Sequence, residues 1–207
     1  MMVLRENSPL EMLRRFATYF KTKTSESVGA AKLSFNNSLG KGYISLYEVF
    51  PGLSVWVYNF NLKKGLYFTL EFISRGPIYF GYNVEGYQHH KLDDEEKFLM
   101  IHQNQNFIIK GEPGAIGHFK MPCNIPYKSC YLIVNPDKIN ANEGIGSRSI
   151  SQNINDITTS CGGGHSYRHL GELDMTTGMY AQILVNNDAT DLIGRLKTEG
   201  AVMNLLT

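Results

Sequence analysis

The residues best equipped for chemistry lie between Gly86 and Glu96, where Tyr87, Gln88, His89 and His90 are followed by Asp93, Asp94, Glu95 and Glu96. Imidazole and carboxylate are the groups that divalent metals take from proteins, so such a run first suggests a metal centre. Strand geometry argues against it. Side chains of an extended segment converge at i and i+2, whereas His89 and His90 are adjacent and must leave on opposite faces. One of the two faces inward, and His89 is taken as that one. The four acids fall in a turn, where a run of charge is a solvated hairpin tip. His165 and His169 would align on a helix, but the preceding Gly162-Gly163-Gly164 is a poor helix start. Cys161 and these glycines lack both the strand before and the Lys-Ser/Thr after that a phosphate loop needs. His118 shares a face with Lys120, opposite Phe119, with no second base beside it, which is a structural rather than a catalytic setting. No G-x-S-x-G elbow and no G-x-G-x-x-G turn after a strand occurs. The expectation is a protein with no catalytic residues, no metal and no cofactor, and not an enzyme.

Recognition of an organic molecule is the chemistry that remains. A ligand pocket is mostly apolar with a few convergent polar tips, and Tyr, Trp and His supply an apolar body with such a tip. In Leu53 to Asn61, Val55, Val57 and Asn59 point one way and Trp56, Tyr58 and Phe60 the other, so one face is aromatic. The residues expected to line a ligand site are Trp56, Tyr82, His89, His118 and Tyr131. Ordinary aromatic core packing is the alternative for each ring.

These side chains need a β scaffold, and the segment from Gly42 to Val134 has its pattern. Runs rich in Tyr, Phe, Ile and Val alternate with turns at Pro51-Gly52, Lys63-Lys64-Gly65, Val84-Glu85-Gly86, Gly111-Glu112-Pro113-Gly114 and Pro122-Cys123-Asn124. The expected fold is mainly β with flanking helices, a cupin-like antiparallel β-barrel over 42–135 plus a carboxyl-terminal helical hairpin. Residues 1–41 are read as a helix and linker. Ser8-Pro9-Leu10-Glu11 combines an N-cap, a proline at the first helical position and a capping-box glutamate. Leu10, Leu13, Phe16, Ala17 and Phe20 then recur at helical spacing, and Thr22 to Ala30 is left unstructured. Residues 136–207 are read as a linker and a helical dimerisation region. Asp174 caps a helix holding Met179, Ile183 and Leu184, and Asn186-Asn187-Asp188 breaks it. In the last helix, Ala189 to Thr207, a stripe broader than one packing face predicts a two-fold contact through Leu192, Leu196, Met203 and Leu206. With no terminator after Leu206, the natural chain is expected to continue.

Composition sets outer limits. The 207 residues suit one core with attachments. Lys plus Arg number 20 against 19 for Asp plus Glu, which gives no overall positive field for a nucleic-acid backbone. The longest apolar runs fall far short of the roughly 20 residues of a membrane helix. Three cysteines, Cys123, Cys130 and Cys161, without a C-x-x-C pair, and no leader-like start, fit a reducing cytoplasm.

The leading helix, the runs from Gly42 to Leu62 and from Pro77 to Lys110, the turn Gly117 to Pro122 with Pro126 to Ile139, and the final helix from Asp191 together resemble the amino-terminal regulatory half of AraC-family transcription regulators. The resemblance covers about Gly42 to Thr207. It implies a cupin-like domain that senses a small-molecule effector, a homodimer formed through a helical pair, and DNA contact only through a carboxyl-terminal part that this sequence lacks. Metal-binding cupin enzymes use an H-x-H pair, from which His89-His90 departs. A metal-dependent cupin enzyme and a small carbohydrate-binding module stand as the alternatives.

Overall fold

The computed structural model describes residues 2–6, 8–73, 77–140, 165–187 and 191–206. In chain order its elements are β1 (Met2–Arg5), α1 (Pro9–Tyr19), β2 (Thr24–Ser27), β3 (Ala30–Asn37), β4 (Gly40–Phe50), β5 (Leu53–Leu62), β6 (Leu66–Glu71) and β7 (Ile78–Glu85). There follow β8 (Gln88–Leu92), β9 (Leu99–Ile101), β10 (Gln105–Lys110), β11 (Ile116–Met121), β12 (Pro126–Val134), α2 (Pro136–Asn140), β13 (Tyr167–Leu173), α3 (Met175–Asn186) and α4 (Leu192–Leu206). The strands form a small sheet, β1-β6-β11-β8-β9, and a large one, β13-β10-β7-β12-β5-β4-β3-β2. Among the described ladders only β1 with β6 is parallel.

The mainly β class with flanking helices is as expected, but the barrel is not closed. None of the described ladders joins the two sheets, and the edge strands of the small sheet, β1 and β9, are four and three residues long. Such short edges cannot carry a ladder around a corner, so the architecture is a two-sheet sandwich.

Alternation along β5 decides which side chains meet. Trp56, Tyr58 and Phe60 enter the core between the sheets, with Phe68, Phe72, Phe119, Tyr127 and Tyr131. Val55 and Val57 leave on the other face of the large sheet and join Leu132, Val134, Ala181, Leu184, Val185 and Val202. Both faces of this sheet are therefore covered, one by the small sheet and one by helices. α3 lies over β5, β7 and β12, and α4 packs on α3 and β4. Close approach is secured by glycine at two points. The Phe107 ring of β10 lies on Gly81 of β7, where an added Cβ would stand 2.0 Å from it, and a Cβ on Gly178 of α3 would stand 2.5 Å from the Tyr82 hydroxyl oxygen. α1 closes one side of the sandwich with Met12, Leu13, Phe16 and Ala17, followed by Phe20.

Several segments differ from the sequence reading. Residues 24–27, expected within an unstructured stretch, pair with β3 as an edge strand. Its polar sequence Thr-Ser-Glu-Ser carries no alternation because both faces are wet, and Arg14 of α1 grips Glu26 at 3.0 and 3.1 Å. The β pattern does not end at Asn135, since β13 pairs with β10 and sets His169 opposite Ile108. Ser8 occupies the N-cap of α1 without a side-chain cap bond, and Glu11 pairs with Arg14 at 2.6 Å instead of closing a capping box. Met179 and Ile183 of α3 face outward while Leu184 is buried, because the inward stripe is built from Gly178, Ala181, Leu184 and Val185. Asp174 does cap α3, accepting from the Thr176 and Thr177 amides at 2.9 and 3.2 Å. Cys161 and the glycines after it lie outside the described residues.

Candidate ligand site between the sheets

A cavity of about 40 Å³ remains inside the sandwich. Trp56, Tyr58 and Tyr131 wall it from the large sheet, Phe68 and Phe119 from the small sheet, and Met12 and Phe16 from α1. The rings interlock. Phe16 stands 5.9 Å from Trp56 and 5.4 Å from Phe68, Tyr58 is edge-on to Tyr131 at 5.6 Å, and Phe68 stacks on Phe119 at 4.9 Å. One water molecule needs roughly 10–15 Å³ of such cavity space, and pockets for drug-sized ligands run to about 300 Å³ or more. In this conformation the interior is filled mainly by its own rings, with Phe16 of α1 as the plug.

Polar tips reach into this apolar interior. The Tyr131 hydroxyl donates to Gln88 Oε1 at 2.8 Å and that of Tyr127 to Asn83 Oδ1 at 3.3 Å, while Asn83 Nδ2 donates to the Ile101 carbonyl at 3.0 Å. Burial pushes the Tyr58, Tyr127 and Tyr131 phenols well above their ordinary range, so each is a neutral O–H donor. Gln88 and His90, two apart on β8 and fully buried, face the same way. Neither Gln88 Nε2 nor His90 Nε2 has a partner among the described residues.

His90 is held from its other nitrogen. Arg168 Nη1 of β13 lies 3.2 Å from His90 Nδ1 and 2.6 Å from Glu95 Oε2, and its Nη2 pairs with Glu95 Oε1. A guanidinium only donates, so Nδ1 is the acceptor and the imidazole proton sits on Nε2. Burial, then the charge of Arg168, then His118, push the His90 imidazolium down to about 3, which keeps the ring neutral. Partial burial alone would raise the Glu95 carboxyl, but Arg168 and the Leu92 amide hold it below its ordinary value. This triad ties the β8–β9 hairpin of the small sheet to β13 of the large one.

Of the five residues expected to line a site, the structure brings two together, Trp56 and Tyr131, which oppose each other across β5 and β12. Tyr82 lies on the far face of the large sheet, where its hydroxyl donates to the Asp174 carbonyl. Along β7 all positions but Phe80 and the terminal Glu85 are buried, on both faces, so no alternation in its sequence says which side faces in. His89 is on the outer face of the small sheet, edge-on to Tyr87 at 5.4 Å, and His90 is the inward histidine. A signal for this exists in the sequence: Leu92 shares its face with His90 and Gln88, not with His89. His118 is also outward, with Nδ1 2.7 Å from the Tyr67 hydroxyl and Nε2 2.8 Å from Asp93 Oδ1. The acidic turn is solvated at Asp93, Asp94 and Glu96, although Asp93 also reaches back to His118, whereas Glu95 is half-buried against Arg168. Among the described residues no three His, Cys, Asp or Glu side chains converge as metal ligands would.

On α4, Leu196 and Met203 are 59% and 41% exposed, and Ile193 on the same side is 63% exposed. The side chains of Leu192 and Leu206 lie outside the described residues. Met175, Met179 and Ile183 of α3 are also exposed. No described helix is long and apolar enough to cross a membrane.

No protein-family model matches the sequence. No curated protein matches it either. Solved structures similar to the chain include ToxT from Vibrio cholerae, at 11% identity over 73% of this chain and 54% of that one, with a TM-score of 0.43. Another is the AraC-like transcriptional activator CuxR, at 10% identity over 86% of this chain and 58% of that one, with a TM-score of 0.33. KdgF from Halomonas sp. is similar at 13% identity over 56% of this chain and 89% of that one, with a TM-score of 0.33. The chain thus spans little more than half the length of ToxT and of CuxR. Identities of this size leave the role of each side chain to be read from this chain itself.

Proposed function

We propose that this chain is the effector-sensing and dimerising domain of an AraC-type transcription regulator working in the cytoplasm. No reaction is assigned to it, and none of its described elements is assigned to DNA. One observation carries the reading: the strands β5, β7 and β12 present cavity rings on one face and the α3 packing surface on the other. Trp56 alternates with Val57, and Tyr131 with Leu132, along the same strands. A guest that spreads the rings displaces strands on which α3, and through it α4, is seated. The second support is the apolar side chains that α3 and α4 leave exposed, a surface that a two-fold contact would cover.

The test is a fusion of the chain to a DNA-binding module that acts only as a dimer, with a reporter behind a two-half-site operator. The expected result is reporter control that Leu196→Lys with Met203→Lys abolishes and that at least one compound from a metabolite collection shifts. A fusion that leaves the reporter untouched at every expression level, with a purified chain that stays monomeric at tens of micromolar, would overturn the proposal.

A further inference from the structure

We infer that the ring-lined interior is reached through a cleft at the amino-terminal end of α1, and that its guest is an elongated amphiphile with a positively charged end in the cleft and a hydrocarbon body between the sheets. The inference rests on the sensing reading and adds a route and a ligand class to it. The cleft, about 360 Å³, lies between the segment leading into α1, the β4–β5 hairpin and the end of β12. Its size falls within the range of small-molecule sites. Met12, Tyr79 and Ile133 line both the cleft and the buried cavity. The partition between the two is therefore one layer of side chains, and one of the three is an unbranched methionine, the residue type that repacks most readily.

The two compartments differ in chemistry. The cavity is walled almost wholly by carbon. Among the described residues, the cleft carries the carboxylates of Glu6 and Glu48 against the one ammonium of Lys138, with hydroxyl and amide groups from Ser54 and Asn135. The Tyr79 hydroxyl donates to Glu6 Oε1 at 2.5 Å, which fixes this acid at the partition. A negative vestibule before an apolar slot selects a molecule with a cationic head and an aliphatic tail. A narrow interior favours a chain over a fused ring system, and each further methylene buried should tighten binding about fourfold.

Trp56 is the sole tryptophan and lines the cavity, so its emission reports a tail that arrives there. The probes are 12-bromododecylammonium and 12-bromododecanoate, each kept below its micelle concentration, because bromine quenches indole at contact. The expected result is saturable quenching of wild type, with the ammonium probe bound at least tenfold more tightly than the carboxylate. Glu48→Lys, at an exposed position, should reverse that order while thermal unfolding stays unchanged. A carboxylate that binds as tightly as the ammonium, an order that survives Glu48→Lys, or no quenching by either probe would overturn the inference. If the bromoalkyl probes fail while a compound found in the reporter assay still changes Trp56 emission, only the route and ligand class fall and the sensing reading stands.

Discussion

His90 gives the interior its most measurable property. The native ring stays neutral down to a pH of about 3, whereas in the unfolded chain it takes a proton near pH 6.5. Above pH 6.5 neither state is protonated and His90 makes stability independent of pH. Below it only the unfolded state binds the proton, so stability falls as pH falls from 6.5 towards 3, by up to about 1.4 kcal/mol per unit. Urea unfolding at pH 7 and pH 5.5 should differ by on the order of 1 kcal/mol more in wild type than in His90→Gln. Equal pH dependence in the two proteins would show that His90 is not buried neutral. Its partner pair is the second residue-scale test. Glu95→Gln leaves the Arg168 guanidinium, with 7% of its side chain exposed, without its counter-charge. Because Glu95 itself is about one-third exposed, the expected loss is about 1–3 kcal/mol, below that of a fully buried pair. Adding Arg168→Met should recover part of it in the same unfolding experiment. Neither partner was legible as such: Glu95 looked like hairpin charge, and Arg168 follows a stretch with no strand signal, so only the folded chain brings them together.

Among the elements, α3 sits close to the large sheet because Gly178 has no side chain. Alanine is the better helix former by about 1 kcal/mol, yet its Cβ would stand 2.5 Å from the Tyr82 hydroxyl. Gly178→Ala should therefore destabilise the protein by about 1–3 kcal/mol, and Tyr82→Phe, which clears the space, should reverse most of the loss. Alanine that stabilises the wild-type background would mean that α3 is seated less closely. α4 makes the complementary prediction. Its buried side is built from Gly194, Thr198, Ala201 and Val202, while Leu196 and Met203 face out. Leu196→Lys with Met203→Lys should shift sedimentation from dimer to monomer and leave the unfolding midpoint of the monomer nearly unchanged, since both positions are exposed within the chain. A double variant that remains dimeric would place the interface elsewhere. That the last helix has more apolar surface than one face needs was readable from its sequence. Which part is left over was not, since small residues form the packed stripe and the large ones point away.

At the scale of the whole molecule, legibility followed the polar residues that mark one face of an element. β5 declared its ring-bearing face because Asn59 marks the opposite one, and the apolar stripe of α1 declared the plug. β7 is buried on both sides and β2 on neither, so in both the period-two signal is lost. In the interior, Trp56 and Tyr131 were foreseen, Tyr58 was placed on the ring-bearing face without being named for the site, and Gln88 and His90 were missed. The central claim is that this interior takes a guest. It is tested most directly by thermal unfolding followed through Trp56 emission across a metabolite collection, in wild type and in Tyr131→Phe. A compound at a hundred times its dissociation constant should stabilise the chain by about 2.7 kcal/mol, should change Trp56 emission at 25 °C, and should bind Tyr131→Phe several-fold more weakly. A collection in which nothing stabilises the protein, or a stabilising compound that leaves Trp56 emission and the Tyr131→Phe affinity unchanged, would contradict a ligand site between the sheets.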